Sequence, residues 1–345
     1  MVAVAGLDIG GANTKVAICT FDKSSRNREI IESKSFFFPF WLKKDSFPEF
    51  LKETILPLFH NCNIHTITVT ITAELADCFT TKFEGINYIC TNLKEIFSQP
   101  IKVLTSSGNF LDPEVAISQW KVVSAANWFA TASIVAENYP NAIFMDIGST
   151  TTDIIPLVSG QVNAKGKTDL ERLISGELIY TGLLRTNPVS IVHKVPYKGQ
   201  WIRLSSELFT CSGDIHVILD HLSSSEFVTE TPDNRGTTKD ECFARLARIV
   251  CADLNTIEKE SLTKIAQYIY QKQIDQIVDG LNQVIQEQDL SQFSEVVLTG
   301  TGARHLGAEA AKKLNMRVNY LSLNEKVSSA VCVAYLYFKK LEASP

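Results

Sequence analysis

Asp8-Ile9-Gly10-Gly11-Ala12-Asn13-Thr14-Lys15 and Asp146-Ile147-Gly148-Ser149-Thr150-Thr151-Thr152-Asp153 are two versions of one pattern. Each follows an apolar, β-rich run, Val2 to Leu7 and Ala142 to Met145, and each leads into another, Val16 to Phe21 and Ile154 to Val158. The spacing predicts two β-hairpins with small, polar tips. Glycine at a tip lets the backbone bend and present bare N–H groups to an anion. Each charge-assisted hydrogen bond of that kind contributes roughly 1.5–3 kcal/mol. The leading aspartates, Asp8 and Asp146, supply the carboxylate oxygen that a hard cation such as Mg2+ prefers. Asp and Gly are common in ordinary turns, so one copy would carry little. Two copies with the same Asp-Ile-Gly, Thr-rich exit and strand context point to two related domains facing each other across a polyphosphate.

A third loop lies downstream, in Val296-Val297-Leu298-Thr299-Gly300-Thr301-Gly302-Ala303-Arg304. It reads as a strand entering a helix through Gly300 and Gly302, with Ala303 at the helix start. Helix N-termini with exposed N–H groups attract phosphate or polar ligand edges. Alone, Gly-x-Gly is a weak signal; third after two Asp-Ile-Gly hairpins, it completes a series.

The chain has 345 residues, enough for two domains with their own cores. Hydrophobic residues make up 45% and charged residues 21%, ordinary for a globular protein. A net charge of −5 leaves no basic footprint for nucleic acid. No apolar run reaches the ~18 residues of a membrane span, and Val2 to Leu7 is too short for a signal-peptide core. The expectation is a soluble, cytoplasmic protein acting on small molecules; a homo-oligomer is compatible with it. Eight cysteines are scattered without a Cys-x-x-Cys pair and read as buried hydrophobes. His60-Asn61-Cys62-Asn63-Ile64-His65 lacks a clear fourth ligand, and Asp214, His216, Asp220 and His221 read as a solvated polar surface, so no zinc is expected.

Periodicity predicts a third strand over Ile30–Phe38, helical spacing over Phe47–Phe59 and an alternating strand over Ile64–Ile71. Helices are predicted over Ser124–Asn138, Leu170–Ile179, Lys239–Leu254, Leu262–Gln286, Arg304–Leu314 and Lys326–Lys340. Strands are predicted over Val189–Val195, Trp201–Leu204, Val296–Leu298 and Val318–Leu321. Asp22–Arg28 and Ser223–Thr238 are the softest stretches. Phe36-Phe37-Phe38-Pro39-Phe40-Trp41 reads as core, with Trp41 free to lie over a cleft. The expected division is 1–140 with the first loop, 141–325 with the second and third, and a C-terminal helix, 326–345, packing back on the body. The fold class is α/β, with mixed sheets.

The three loops, in this order, resemble the phosphate 1, phosphate 2 and adenosine motifs of the actin, sugar kinase and Hsp70 superfamily. The resemblance implies two RNase H-like domains enclosing a cleft, with Asp8 and Asp146 binding Mg2+ directly or through water. It implies phosphate contacts from Gly10, Gly11, Asn13, Thr14, Gly148, Ser149, Thr150 and Thr151, with Lys15 neutralising charge. Gly300, Gly302 and Ala303 would face the nucleoside end. Ser149-Thr150 stands where the chaperones usually show further glycine, a departure from a tight ATP fit.

More finely, the chain resembles the hydantoinase/oxoprolinase-like branch, and within it the short enzymes of methanofuran biosynthesis that make a furan–phenol ether. The matching pieces include Thr72-Ala-Glu-Leu-Ala-Asp77, Ala125-Ala-Asn-Trp-Phe-Ala-Thr131, Thr168-Asp-Leu-Glu-Arg-Leu173, Gly176-Glu-Leu-Ile-Tyr-Thr-Gly182, Ser206-Glu-Leu-Phe209 and Arg245-Leu-Ala-Arg248. The resemblance implies an alkyl transferase joining γ-glutamyltyramine to the diphosphate of (5-aminomethyl)furan-3-ylmethanol with release of pyrophosphate. Mg2+ is the implied cofactor, and ATP is not expected to be required. Two other classes stay open: an ATP-dependent small-molecule kinase or hydrolase, and a nucleotide-switched binding protein.

Within that reading, Glu74 is the candidate base for the phenol, or a more distant support of the metal. It follows the Ile64–Ile71 strand, and strand ends line ligand clefts in α/β folds; the bland alternative is a solvent-facing carboxylate at a helix start. Asp153 would hold a metal-bound water or pin its hairpin. Asn127 and Trp128 would touch substrate near a helix start, Trp128 being the better core candidate. Arg172 and Arg185 would bind diphosphate or the glutamyl carboxylate, or form surface ion pairs.

Overall fold

In the computed structural model, residues 2–22, 27–60, 62–290, 292–321 and 328–343 are described. Strand β1 (Val2–Gly10) turns through Gly11 and Ala12 into β2 (Asn13–Asp22), antiparallel, with Asp8 opposite Lys15 and Ile9 opposite Thr14. Strand β3 (Asn27–Phe37) pairs antiparallel on the far side of β2. On its other edge β1 runs parallel to β4 (Ile64–Thr72), which sets Asp8 beside Thr70 and Gly10 beside Thr72. Strands β5 (Ile101–Leu104) and β6 (Phe110–Leu111) complete the order β3-β2-β1-β4-β5-β6.

The same plan recurs downstream. Strands β7 (Ala142–Ile147) and β8 (Thr152–Val158) are neighbours, β10 (Leu178–Ile179) pairs antiparallel with β8, and β9 (Gln161–Val162) caps the far end of β8. Across β7 lie β13 (Glu295–Thr299) and β14 (Arg317–Tyr320), both parallel. An antiparallel group beside a parallel group, twice over, is the mixed-sheet α/β architecture expected from the duplicated loop. Strands β11 (Lys194–Tyr197) and β12 (Gln200–Arg203) form a separate hairpin.

By contacts the chain forms two units. The first comprises residues 1–140, 157–171 and 322–345; the second comprises 141–156 and 172–321. The sequence reading placed 157–171 with the second loop, and here it belongs with the first.

In the first unit β1 reads as a nearly unbroken apolar run because both faces are covered. One face puts Ala5, Leu7, Ile9, Val16 and Ile18 against Phe38, Phe40, Phe47 and the helix Lys82–Ile96. The other puts Val4, Ala17, Cys19 and Phe21 under Ala330, Val331, Ala334 and Phe338 of the helix Ser329–Ala343. This is the expected C-terminal helix; its expected start at Lys326 and Val327 lies outside the described residues, as do positions 23–26 of the soft stretch and Asn61. Burying so many aliphatic and aromatic side chains stabilises at roughly 1.5–3 kcal/mol each, and dominates folding.

Several boundaries differ from the periodicity. The helix at Asp169–Ser175 stops at Gly176, whose φ of +74° only glycine adopts cheaply, and Leu178–Ile179 becomes strand. The Ser124–Asn138 helix begins at Asn127, after Ala125 at φ 49°. Phe47–Phe59 is a run of short helical segments that change pitch at Leu51 and Leu56, with Pro48 and Pro57 in the first turns of the segments 47–50 and 56–59. Residues 189–195 start as a helical turn at Pro188–Ser190, and only Lys194–Tyr197 is strand. The Lys239 helix ends at Arg248, while the next runs Lys259–Glu287. Arg304–Leu314 opens with a wide turn, Ala303–Gly307, before the helix Ala308–Lys313. The helix Lys82–Ile96 was missed altogether, although Thr81 and Glu84 have capping-box spacing; the Thr81 hydroxyl accepts from the Glu84 amide at 3.1 Å.

Candidate functional site

In the first unit, Asp8 is 4% exposed near the C-terminal end of β1. Its Oδ2 accepts from the Lys15 ammonium at 3.3 Å and from the Ser329 hydroxyl. Its Oδ1 is buried without a hydrogen-bond partner among the described residues, as are the hydroxyl oxygens of Thr14 and Thr70 and Oε2 of Glu74. Buried polar atoms are nearly always paired, so four orphans around one strand end mark a place built for something else. Asp8 and Thr70 are cross-strand partners, and Thr14 stands opposite Ile9. Lys15, expected on phosphate, is engaged by Asp8 and Ser329.

The first tip is braced from behind, its Gly11 and Ala12 carbonyls accepting from the amides of Phe40 and Phe38. That is the structural work of the aromatic run: Phe38 and Phe40 are core, and Trp41 is half-buried. Neither Gly10 nor Gly11 has positive φ. A Cβ on Gly10 would stand 2.8 Å from the Asn13 carbonyl oxygen, whereas one on Gly11 would meet nothing within 4 Å. Open space over Gly11 is what an approaching anion needs.

Glu74 follows β4, and the amide of Ala73 donates to the Ile9 carbonyl at 3.1 Å, fixing this loop beside the β1 end. The expectation of a solvent-facing carboxylate fails, for Glu74 is 2% exposed. Burial pushes its carboxyl up to about 7, against the pull of Lys82, whose Nζ lies 3.4 Å from Oε1. Lys82 also donates to Asp169 Oδ2 at 2.8 Å. Burial works to depress the Lys82 ammonium, but the Asp169 hydrogen bond and the Glu74 charge outweigh it and hold the lysine above its usual value. Lys82, Asp169 and Ser329 were not singled out from the sequence.

In the second unit, Asp146 is half-buried on β7, opposite Thr299 of β13. The Gly148 amide donates to the Thr151 carbonyl at 2.9 Å, so that expected anion donor is spent within its own tip. The Gly148 and Ser149 carbonyls accept from the amides of Leu183, Leu184 and Arg185, while the Ser149 and Thr150 amides have no acceptor among the described residues. The third loop emerges alongside: Gly300 has φ +87°, and the Gly302 amide donates to the Ile147 carbonyl at 2.9 Å.

Asp153 is held by a buried arginine. Arg172, 1% exposed, donates to its Oδ1 at 2.8 Å and to the Glu177 carbonyl at 3.0 Å. Arg172 is therefore a buried partner of Asp153 and not a surface ion-pair residue. Arg185 is exposed, Trp128 is core, and the Asn127 side chain accepts from the Trp128 amide.

The supposed solvated surface at Asp214 and His216 is instead fully buried. Asp214 grips Arg245, with Nη2–Oδ1 at 2.7 Å, and His216 Nδ1 lies 3.0 Å from His221 Nδ1. Asp220 alone is outside, paired with Lys239. Among the described residues no cluster of three or more His, Cys, Asp or Glu suits a metal ion, and no helix is long and apolar enough to cross a membrane.

A family model described as Hydantoinase/oxoprolinase matches residues 65–337. The (4-{4-[2-(gamma-L-glutamylamino)ethyl]phenoxymethyl}furan-2-yl)methanamine synthase of Methanocaldococcus jannaschii is 36% identical over 334 residues, 96% of this chain and 94% of that protein. The enzyme of the same name from Methanococcus vannielii is 35% identical over 206 residues, 59% of this chain and 90% of that protein. Among solved structures, nucleotide-free acetone carboxylase superposes with a TM-score of 0.57 at 10% identity, covering 97% of this chain and 70% of that one, a likeness of fold.

Proposed function

We propose, from the premise that this chain belongs to the hydantoinase/oxoprolinase family, that it is the methanofuran-pathway transferase joining γ-glutamyltyramine to (5-aminomethyl)furan-3-ylmethanol diphosphate. The observation that carries the reading is the 36% identity across 96% of the chain to a synthase whose product is a phenoxymethyl furan. The phenol oxygen forms a bond to the furfuryl carbon as the bond from that carbon to diphosphate oxygen breaks. Pyrophosphate leaves with the electron pair, and the phenol proton passes to a base. The furan stabilises positive charge at the carbon, so the nucleophile needs little push.

The residues suit these tasks. Within each unit the tip amides, of Gly11 and Ala12 or of Ser149 and Thr150, offer donors for phosphate oxygens. Asp8, with its orphaned Oδ1, would offer carboxylate oxygen to Mg2+ within its own unit, and Asp146 would do so within the other; such an ion would neutralise charge developing on the leaving diphosphate. Glu74, poised at about 7 with Oε2 unpartnered, takes the phenol proton; a base works best with its pKa near the operating pH. The reaction is placed in the cytoplasm, and ATP is not required.

Mass spectrometry of the purified protein with Mg2+, γ-glutamyltyramine and the furan diphosphate, with and without ATP, tests this. Ether and free pyrophosphate formed without ATP support the transferase. Failure to form ether, with ADP released when ATP is added, would transfer the assignment to an ATP-dependent kinase or hydrolase.

A further inference from the structure

Lys82 is shared unequally. Its ammonium donates to Asp169 at 2.8 Å, while Glu74 Oε1 stands at 3.4 Å. The three side chains step from interior to surface: Glu74 is 2% exposed, Lys82 21% and Asp169 32%. Lys82 and Asp169 are also the charged groups acting on the Glu74 carboxyl. A lysine bound to Glu74 alone would hold it firmly ionised and make it a poor base. Asp169, from the 157–171 segment, draws the ammonium the other way.

We infer that Lys82 and Asp169 are positioning residues for Glu74: the lysine fixes Oε1, and Asp169 tempers the lysine so that Oε2 stays basic toward the phenol. This rests on Glu74 being the base of the proposed reaction. Glu74 is geometrically suited to such control, because one oxygen meets Lys82 and the other has no partner among the described residues.

The test compares Lys82→Met, Lys82→Arg and Asp169→Asn in the full chain. Two readouts are followed: the Glu74 carboxyl titration by carbon NMR without substrate, and the pH profile of kcat/KM for ether formation. Loss of the positive charge in Lys82→Met moves the Glu74 titration and the acid limb upward by roughly one pH unit. Loss of the competing negative charge in Asp169→Asn moves both downward, and Lys82→Arg stays near wild type. Shifts in one direction for both variants, or none in either, overturn the inference. Should Lys82→Met fail to fold, the downward shift in Asp169→Asn decides alone. Absence of ether with wild-type protein counts against the proposed function, while the NMR titration still judges the relay.

Discussion

A Cβ built on Gly85 would stand 2.3 Å from the Glu74 carbonyl oxygen and 2.6 Å from its Cα. Three residues after Lys82, the 82–96 helix seats directly on the Glu74 backbone, and only a residue without a side chain permits it. Glycine inside a helix costs about 1 kcal/mol relative to alanine. The close approach is what that cost maintains, and it delivers Lys82 to the carboxylate.

Gly85→Ala gains helix propensity but forces the Glu74 loop or the helix to shift. Overpacking of this kind costs about 1–3 kcal/mol. The expected outcome is a lower urea midpoint together with a several-fold loss of ether formation. A variant more stable than wild type with full turnover would show that the contact yields freely.

Glu74→Gln separates stability from activity. The folded carboxyl sits at about 7 against an ordinary 4.5, so the folded state binds the proton more tightly. Its contribution is therefore fully present below about 4.5 and lost as pH rises through 7, a difference of about 3 kcal/mol. Glu74→Gln is expected to raise Tm at pH 8 relative to wild type, with little difference at pH 4.5, while turnover is lost. Equal Tm differences at both pH values would contradict the burial argument.

Asp8→Asn keeps the size of the side chain and its contacts with Ser329. Lys15 is 41% exposed, so losing the ion pair costs no more than about 1 kcal/mol. Circular dichroism is expected to be unchanged while turnover falls by about a hundredfold or more. Full activity would remove the metal role assigned to Asp8.

Arg172→Met leaves Asp153 and the Glu177 carbonyl without their buried donor. Breaking such a pair destabilises by about 3–5 kcal/mol. The folded fraction is expected to retain kcat within a few-fold. If Asp153→Asn instead abolishes turnover without lowering Tm, Asp153 belongs to the chemistry after all.

His216 adds an acid-side sensitivity. Burial first, and the neighbouring His221 second, push it down to about 3, and His221 itself stacks on His305 at 4.6 Å. With the folded value depressed, its contribution is present above about 6.5 and lost as pH falls from there toward about 3. Tm is expected to decline below pH 6.5, and less steeply in His216→Gln. An unchanged slope in that variant would assign the acid loss to other groups.

The duplicated Asp-Ile-Gly hairpins, the two sheets and the position of Glu74 after a strand were legible because they are local. Alternation of apolar residues, small tips and strand ends are written within stretches of ten residues or so. The family was legible for the same reason, through short motifs in order along the chain. Burial and partnership were not. Asp214 and His216 look like a polar surface until Arg245, 31 residues on, closes over the carboxylate. That Asp153 has a buried arginine beside it, Arg172 from 19 residues on, could not be read from its own stretch. Lys82 and Asp169 are 87 residues apart, and Ser329 meets Asp8 from 321 residues away. The sequence by itself determined the two hairpins, their tips and the strand before Glu74, because those choices depend on neighbours along the chain. Tertiary structure alone decided which charges are neutralised, which oxygens are left without partners and how basic Glu74 becomes, because desolvation and pairing depend on neighbours in space.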